Sequence, residues 1–320
     1  SPSVQIPGWH SPLVGISLGA MGSLLMVAAW WALWFRGGGL PMNAFPPKRR
    51  VATGVYAIMA HPNYVGAVLA VAGVSIGTGS AAGLWVVTPI VMLACASLVV
   101  GYECDATIAR LGREQRRPWL SLPSDESEPA TRAERCAGLV LAFVPWLIAY
   151  EWVGHIPVNA ILSGWLPGEQ TLPVYPFTEP LYASVYLLAP AACLACPKRR
   201  DLRHFIVTAW IATAVGCLLY LAVPVVTPPR AFDDTSWMGR LLALERADGL
   251  DGRAALPSFH VFWILMAART LGAAYPYWRA PILLWATIAI GACWTTGMHS
   301  VIDVGSGVAF YAVIVRWPSW

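Results

Sequence analysis

Leu256-Pro257-Ser258-Phe259-His260 and Thr295-Thr296-Gly297-Met298-His299-Ser300-Val301-Ile302-Asp303 bracket the stretch that decides how this chain is built. Two apolar segments lie between the brackets, near 257–274 and 279–296, each approaching the roughly 20 residues that a helix needs to cross a bilayer. Two crossings return the chain to the side it left, so His260 and His299 are expected at one depth. His299 and Asp303 are four residues apart, and on a helix that spacing places both on one face. A carboxylate there can accept the imidazole N–H, fix the tautomer and leave the far ring nitrogen free to attack. The second imidazole, His260, is then placed to protonate a leaving group. His299, His260 and Asp303 are the candidate catalytic residues.

The rest of the composition agrees with a membrane setting. Of the 320 residues 57% are hydrophobic and 12% charged, 17 are tryptophan, and the mean hydropathy is +0.58. A soluble domain carries about 25% charged residues, so a water-soluble enzyme is excluded and no nucleic-acid partner is expected. The fold class read from this is an all-α polytopic integral membrane protein with about nine transmembrane helices, near 11–35, 62–79, 84–102, 137–154, 180–196, 204–225, 257–274, 279–296 and 299–315. The last six form a core at the C-terminal end. Ionisable groups at membrane depth are costly, so a His, His, Asp constellation there argues for a task rather than for packing. Gly305 and Gly307, just beyond Asp303, read as tight helix contacts. No cleavable signal is read in Ser1–His10, which lacks a basic n-region. Cys193-x-x-Cys196 has no partner pair, so small apolar packing is expected there rather than zinc.

Charge gives the orientation. Seventeen of the 21 Lys and Arg fall in the connections at 36–61, 103–136 and 197–203 or at the matching ends of the last helices. Arg230, Arg240, Arg246 and Arg253 are the four exceptions, all in the loop 227–256. Basic loops stay in the cytoplasm, which puts the amino terminus outside and His260 and His299 on the extracytoplasmic side of a plasma or inner membrane. Of the four exceptions, Arg230 is singled out as the candidate substrate contact, and the others read as loop charges paired with nearby acids. The polar, proline-containing stretch near 113–136 reads as a cytoplasmic linker. It separates a three-helix domain, 1–112, from a six-helix domain, 137–320.

Pro257-Ser258-x-His260 and His299-x-x-x-Asp303, with Pro228-Pro229-Arg230 upstream, resemble the motifs of the type 2 phosphatidic acid phosphatase superfamily. Pro-Pro-Arg and Thr-Thr-Gly-x-His are most similar to the inositol phosphorylceramide synthase-like branch. Cys293 stands where the family usually has an arginine, six residues before the second histidine. The resemblance implies a lipid phosphatase or phosphotransferase with a phosphohistidine intermediate at His299. Asp303 would orient the ring, His260 act as acid, and Arg230 and Ser258 contact the phosphate. The implied substrates are phospholipids or polyprenyl phosphates, with transfer of an inositol phosphate type of head group between lipids as one form of the reaction. The implied chemistry needs no metal or other cofactor.

Thr53-Gly54-Val55-Tyr56, His61-Pro62-Asn63-Tyr64-Val65-Gly66 and Glu103 resemble the isoprenylcysteine carboxyl methyltransferase and phospholipid methyltransferase family. That resemblance implies S-adenosylmethionine enclosed by His61, Tyr64 and Glu103 at the cytoplasmic face. Ala60 replaces the arginine that precedes His-Pro in the family, and one Glu103 replaces a pair. The expectation is a relic domain that packs against the back half or dimerises beside it. An active methyltransferase is the alternative.

Overall fold

The structure is a computed structural model, and it describes residues 9–41, 45–112, 117–154, 162–223, 225–232, 234–247 and 254–316. The chain forms two compact units, divided between Ser121 and Leu122.

In the first unit, α1 (Pro12–Ala32) starts with the Ser11 hydroxyl accepting the Val14 N–H and with proline at its first position, where the missing N–H costs nothing. A π-turn, Leu33–Gly37, extends it. A single turn, α2 (Val55–Ile58), precedes α3 (Pro62–Thr78). A last rod runs from Gly83 to Leu111 and contains α4 (Thr88–Leu98) and α5 (Cys104–Leu111). α1 and α3 touch backbone to backbone. A Cβ added at Gly66 would lie 2.7 Å from the Gly22 carbonyl oxygen, and one at Gly73 would lie 2.4 Å from the Gly19 nitrogen. Small residues let helices approach this closely where lipid removes the hydrophobic incentive to associate. The glycine of the His-Pro-x-Tyr-x-Gly segment therefore has a packing reason. Trp119 and Leu120 close the unit by donating backbone N–H groups to the carbonyls of Ala57 and Ile58.

The second unit holds α6 (Arg132–Gly154), α7 (Glu179–Ala183), α8 (Val185–Ala195) and α9 (Arg199–Ala222). After these come α10 (Trp237–Ala247), α11 (Phe259–Ala274), α12 (Arg279–Thr295) and α13 (Val301–Arg316). The two-residue strands β1 (Leu162–Ser163) and β2 (Val225–Val226) pair in parallel and are the only strands among the described residues. Phe143, Trp146, Phe205, Phe259, Phe262, Trp263 and Phe310 make a contiguous aromatic core between α6, α9, α11 and α13. Pro145 lies inside α6 and cannot donate to the Leu141 carbonyl one turn back. The Trp210 indole of α9 donates to that carbonyl instead, at 2.6 Å, so the proline costs the apolar interior no unsatisfied group.

The expected apolar segments fall on helices, the one near 180–196 on two of them, α7 and α8. Among the described residues four helical stretches, Pro12–Gly37, Gly83–Leu111, Arg132–Gly154 and Arg199–Ala222, are long and apolar enough to cross a membrane. The protein is an all-α membrane protein. Several details differ from expectation. The segment 113–136 is not linker throughout: α6 begins at Arg132 because Thr131 and Glu134 form a reciprocal cap. The Thr131 N–H donates to Glu134 Oε2 at 2.8 Å, and the Glu134 N–H donates to Thr131 Oγ1 at 3.2 Å. Arg199, at the start of α9, then binds Glu128 at 2.5 Å and Glu134 at 2.8 Å. The loop 227–256 carries a helix, α10, that the sequence reading did not anticipate. Gly307 packs as expected, since a Cβ there would lie 2.8 Å from the Ser258 carbonyl oxygen, whereas Gly305 faces open space. Cys193 and Cys196 are free and fully buried in the apolar core.

Candidate active site

Two helix starts and one helix end converge in the second unit. Ser258 caps α11 by accepting the Val261 N–H. Its own N–H donates to the Asp303 carbonyl at 3.2 Å. α12 ends at Thr295-Thr296-Gly297, where Gly297 adopts φ +71, the left-handed conformation that glycine accepts without strain. Ser300 then caps α13 reciprocally. Its hydroxyl accepts the Asp303 N–H at 3.1 Å, and Asp303 Oδ2 accepts the Ser300 N–H at 2.9 Å.

That cap corrects one expectation. His299 precedes α13 rather than lying on it, so His299 and Asp303 do not share a helix face. The aspartate is committed in part to capping. Even so the turn brings the pair together: His299 Nδ1 lies 3.9 Å from Asp303 Oδ2, an ion-pair separation about 1 Å beyond a hydrogen bond. His299 Nδ1 and Asp303 Oδ1 are buried without hydrogen-bond partners. Catalytic hydrogen bonds are often this long before substrate binds.

The far nitrogen, His299 Nε2, lies 3.3 Å from Ser258 Oγ and 3.3 Å from His260 Nδ1. The Tyr182 hydroxyl of α7 approaches the same His260 Nδ1 at 3.1 Å, with its ring stacked on the imidazole at 4.3 Å. On the other side of His260, Nε2 lies 2.7 Å from the Tyr186 hydroxyl, which donates to Glu245 of α10. The two imidazoles expected to cooperate do therefore meet, and one oxygen atom can sit within reach of both nitrogens.

Arg230 is buried and packs against Gly297, where a Cβ would lie 3.2 Å from Arg230 Nε. Its guanidinium lies between the indoles of Trp165 and Trp294, 5.5 and 5.4 Å from their centroids, within cation–π range. It donates to the carbonyls of Leu172 and Trp294, and its Nε is buried without a partner. Arg246 of α10 was read as a loop charge but belongs with it. It lies 4.1 Å over Phe232, donates to the Thr296 carbonyl at 3.3 Å, and also keeps a buried Nε without a partner. Burial and the neighbouring Arg230 charge push Arg246 down to about 10, against the pull of Glu179. Glu179, buried with neither carboxyl oxygen hydrogen-bonded, is pushed up to about 8 by burial and by Glu245.

Glu169 holds the turn together. Its Oε1 accepts from the Trp294 indole and from the Val301 N–H, both at 2.8 Å, and Oε2 accepts the Leu166 N–H at 3.0 Å. One buried carboxylate thus joins the end of α12 to the first N–H of α13, a position that also suits negative charge.

In the first unit the motif residues line one cavity of about 520 Å³, with His61, Tyr64, Glu103 and Ala60 on its wall beside Arg49, Arg50 and Arg110. The Tyr64 hydroxyl lies beside the Glu103 carboxylate, whose Oε2 is buried without a partner. Burial and the Glu103 charge also push the Tyr56 phenol up. Among the described residues no cluster of three or more His, Cys, Asp or Glu is disposed to hold a metal ion.

Comparison with known families matches this geometry to a lineage. The sequence model described as PAP2 superfamily matches residues 145–317, just over half of the chain, and spans every residue of the His260–His299 cluster. The chain belongs to the PAP2 superfamily. A second model, phospholipid methyltransferase, matches residues 11–107, so the first unit is similar to that family. No curated protein and no solved structure matches the chain. PAP2 membership makes the second unit a membrane lipid phosphatase-type domain, and both families imply lipid substrates. The motifs that resemble the family's contain His260, His299, Asp303, Ser258 and Arg230. They do not contain Glu169, Tyr182, Tyr186, Glu245 or Arg246, which reach the same site from loops and helices without a sequence signature.

Glu169 gives the sharpest structural test of the PAP2 site. Glu169→Ala leaves the Trp294 indole and two backbone N–H groups without acceptors, at about 1–3 kcal/mol for each buried group. It is expected to lower the thermal midpoint of the detergent-solubilised protein and to abolish phosphatase turnover. Glu169→Gln, which keeps an acceptor oxygen, should recover part of both. An unchanged midpoint in Glu169→Ala would contradict the assigned role.

Proposed function

We propose that the second unit is a lipid phosphatase or phosphotransferase that works through a phosphohistidine at His299 on the extracytoplasmic face. The observation that carries this reading is the approach of His299 Nε2 to His260 Nδ1, with Asp303 behind the first ring. His299 Nε2 attacks the phosphorus of a lipid phosphomonoester or phosphodiester, forming an N–P bond as the P–O bond to the leaving group breaks. Asp303 holds the Nδ1 proton and stabilises the cation that develops. His260 gives a proton to the departing oxygen, and Arg230 and Arg246, each with a free Nε, offset charge on the phosphoryl oxygens. Ser258 donates to an oxygen of the bound phosphate. Water or a lipid hydroxyl then discharges the phosphohistidine, so one site serves hydrolysis or transfer. The Pro-Pro-Arg and Thr-Thr-Gly-x-His forms favour transfer of an inositol phosphate type of head group between lipids, and polyprenyl phosphates are the alternative substrate class. The charge asymmetry of the loops supports the sidedness.

The test separates the two histidines. On a panel of phospholipids and polyprenyl phosphates, His299→Ala should abolish product formation. His260→Ala should lose roughly 10²–10⁴-fold with an alkyl leaving group. With an activated aryl phosphate, whose leaving group needs no proton, the release of the first product should recover in His260→Ala and not in His299→Ala. Equal recovery in both variants would contradict the assigned roles.

A second reading concerns the first unit, and the cavity at His61, Tyr64 and Glu103 favours it over a relic domain. We infer that this cavity holds S-adenosylmethionine. A buried Glu103 oxygen without a partner fits a ligand that brings hydroxyl or ammonium donors, and a cavity of about 520 Å³ lies within the range of cofactor sites. His61, Tyr64 and Glu103 would hold the cofactor, which supplies an electrophilic methyl group. Tyr64 stands beside Glu103 on the same cavity wall. Calorimetry on the purified chain should show stoichiometric S-adenosylmethionine binding that weakens at least tenfold in Glu103→Gln and in His61→Ala. No heat of binding in the unaltered chain would return the unit to a scaffold role and leave the phosphotransfer reading untouched.

A further inference from the structure

Beyond the His299–Asp303 pair, the site holds a second chain of side chains, of which Glu245 and Tyr186 lie outside every motif. It runs from Glu245 of α10 through the Tyr186 hydroxyl of α8 to His260 Nε2, and from His260 Nδ1 to His299 Nε2. The proton inventory of this chain is constrained. A carboxylate only accepts, so the single Tyr186 proton goes to Glu245, and the Tyr186 oxygen is left to accept. The partner 2.7 Å away must then present an N–H, which places a proton on His260 Nε2. Nδ1 is left as the nitrogen that faces the reacting centre, and the Tyr182 hydroxyl at 3.1 Å can donate to it or accept from it as its protonation changes.

We propose that Tyr186 and Glu245 are positioning residues for His260: they keep a proton on Nε2 through the cycle, so that Nδ1 is the atom that exchanges protons with the substrate. The proposal rests on the phosphotransfer reading above. In the first half-reaction the proton on Nδ1 moves to the leaving oxygen as the P–O bond breaks, and His260 becomes neutral with Nε2–H retained. In the second, water or a lipid hydroxyl forms its O–P bond as the N–P bond breaks, and its proton returns to Nδ1. The carboxylate of Glu245 favours the imidazolium by way of the tyrosine, as Asp303 does directly for His299. The site then contains two imidazoles, each backed by a carboxylate, with their other nitrogens turned toward each other. Adjacent residues of α10 serve the two sides, Glu245 the proton-transfer side and Arg246 the phosphate side.

The groups that touch His260 are Tyr182 of α7, Tyr186 of α8 and His299, with Glu245 of α10 behind Tyr186 and Asp303 of α13 behind His299. Tyr150 of α6 and Tyr220 of α9 pack on the neighbouring Phe259, and Glu179 of α7 interacts with Glu245 and Arg246. Among these, Tyr186 alone bonds Nε2, so the proposal makes a specific claim about pH. The acid must be protonated to work, and removing the tyrosine hydroxyl weakens the link that stabilises the imidazolium. The high-pH limb of kcat/KM should therefore move to lower pH in Tyr186→Phe and, in the same direction, in Glu245→Gln.

The experiment uses the whole 320-residue chain in detergent, with His299→Ala as a control. For an alkyl phosphate, Tyr186→Phe is expected to lose tenfold or more in kcat/KM, with the high-pH limb shifted down. For an activated aryl phosphate, release of the first product should stay near the unaltered level while decay of the phosphoenzyme slows. Glu245→Gln keeps an acceptor for the tyrosine and guards against a folding defect in the first variant. A high-pH limb that stays in place in both variants, or an equal loss with both substrates, overturns the positioning role. Full activity in His299→Ala would instead overturn the phosphotransfer reading on which it rests.

Discussion

A turn buried at the end of an apolar bundle must find a partner for each of its backbone groups, because each orphan costs several kcal/mol where water is excluded. The turn between α12 and α13, which carries His299, meets that demand with polar side chains from outside the two helices. Glu169 takes the first N–H of α13, Arg230 takes the Trp294 carbonyl, Arg246 takes the Thr296 carbonyl, and Ser258 binds the Asp303 carbonyl through its own N–H. The groups that satisfy the backbone are thus the groups that surround the nucleophile. Structural satisfaction and the assembly of a reactive site follow from the same contacts.

The electrostatics follow from this arrangement. The two arginines hold carbonyls rather than carboxylates, so their charge is left for a ligand, and Arg246 is driven down to about 10 by burial and by Arg230. Glu179, pushed up to about 8 by burial and by Glu245, favours the neutral form near pH 7, so the acidic neighbour that acts on Arg230 is Glu169. A phosphate ester is the kind of group this field favours, and its guanidinium contacts would be charge-assisted. Cys293, which replaces the arginine of the resembling motif, is buried and bonded to the Ala289 carbonyl within α12. Arg246 brings a guanidinium to the same turn from a different element.

The helical architecture was legible because hydropathy and length alone mark segments that must satisfy their backbone internally. The two histidines were legible because ionisable groups are rare at such depth. Two cap signals were present but outweighed by periodicity: Thr131-x-x-Glu134 starts α6 inside the expected linker, and Ser300-x-x-Asp303 starts α13 after His299 rather than before it. Other features had no signature. Glu169, Glu245 and Arg246 lie in loops or a short helix where charge is ordinary, and Tyr182 and Tyr186 look like interfacial aromatics of a span. Their roles depend on contacts such as that of Tyr186 with His260, 74 residues away, which no local pattern encodes. The cavity around His61 and Glu103 was foreshadowed by its motif. That Ala60 and a single glutamate still leave it open was visible only in three dimensions.

The central claim is that a covalent bond forms between phosphorus and His299 Nε2. The most direct measurement is to quench the purified protein during turnover with a radiolabelled phospholipid, digest it under alkaline conditions and map the label. The account predicts a phosphoryl group that is stable to alkali, labile to acid and confined to the peptide carrying His299. Label on any other residue, or turnover with no labelled protein at any quench time, would contradict it.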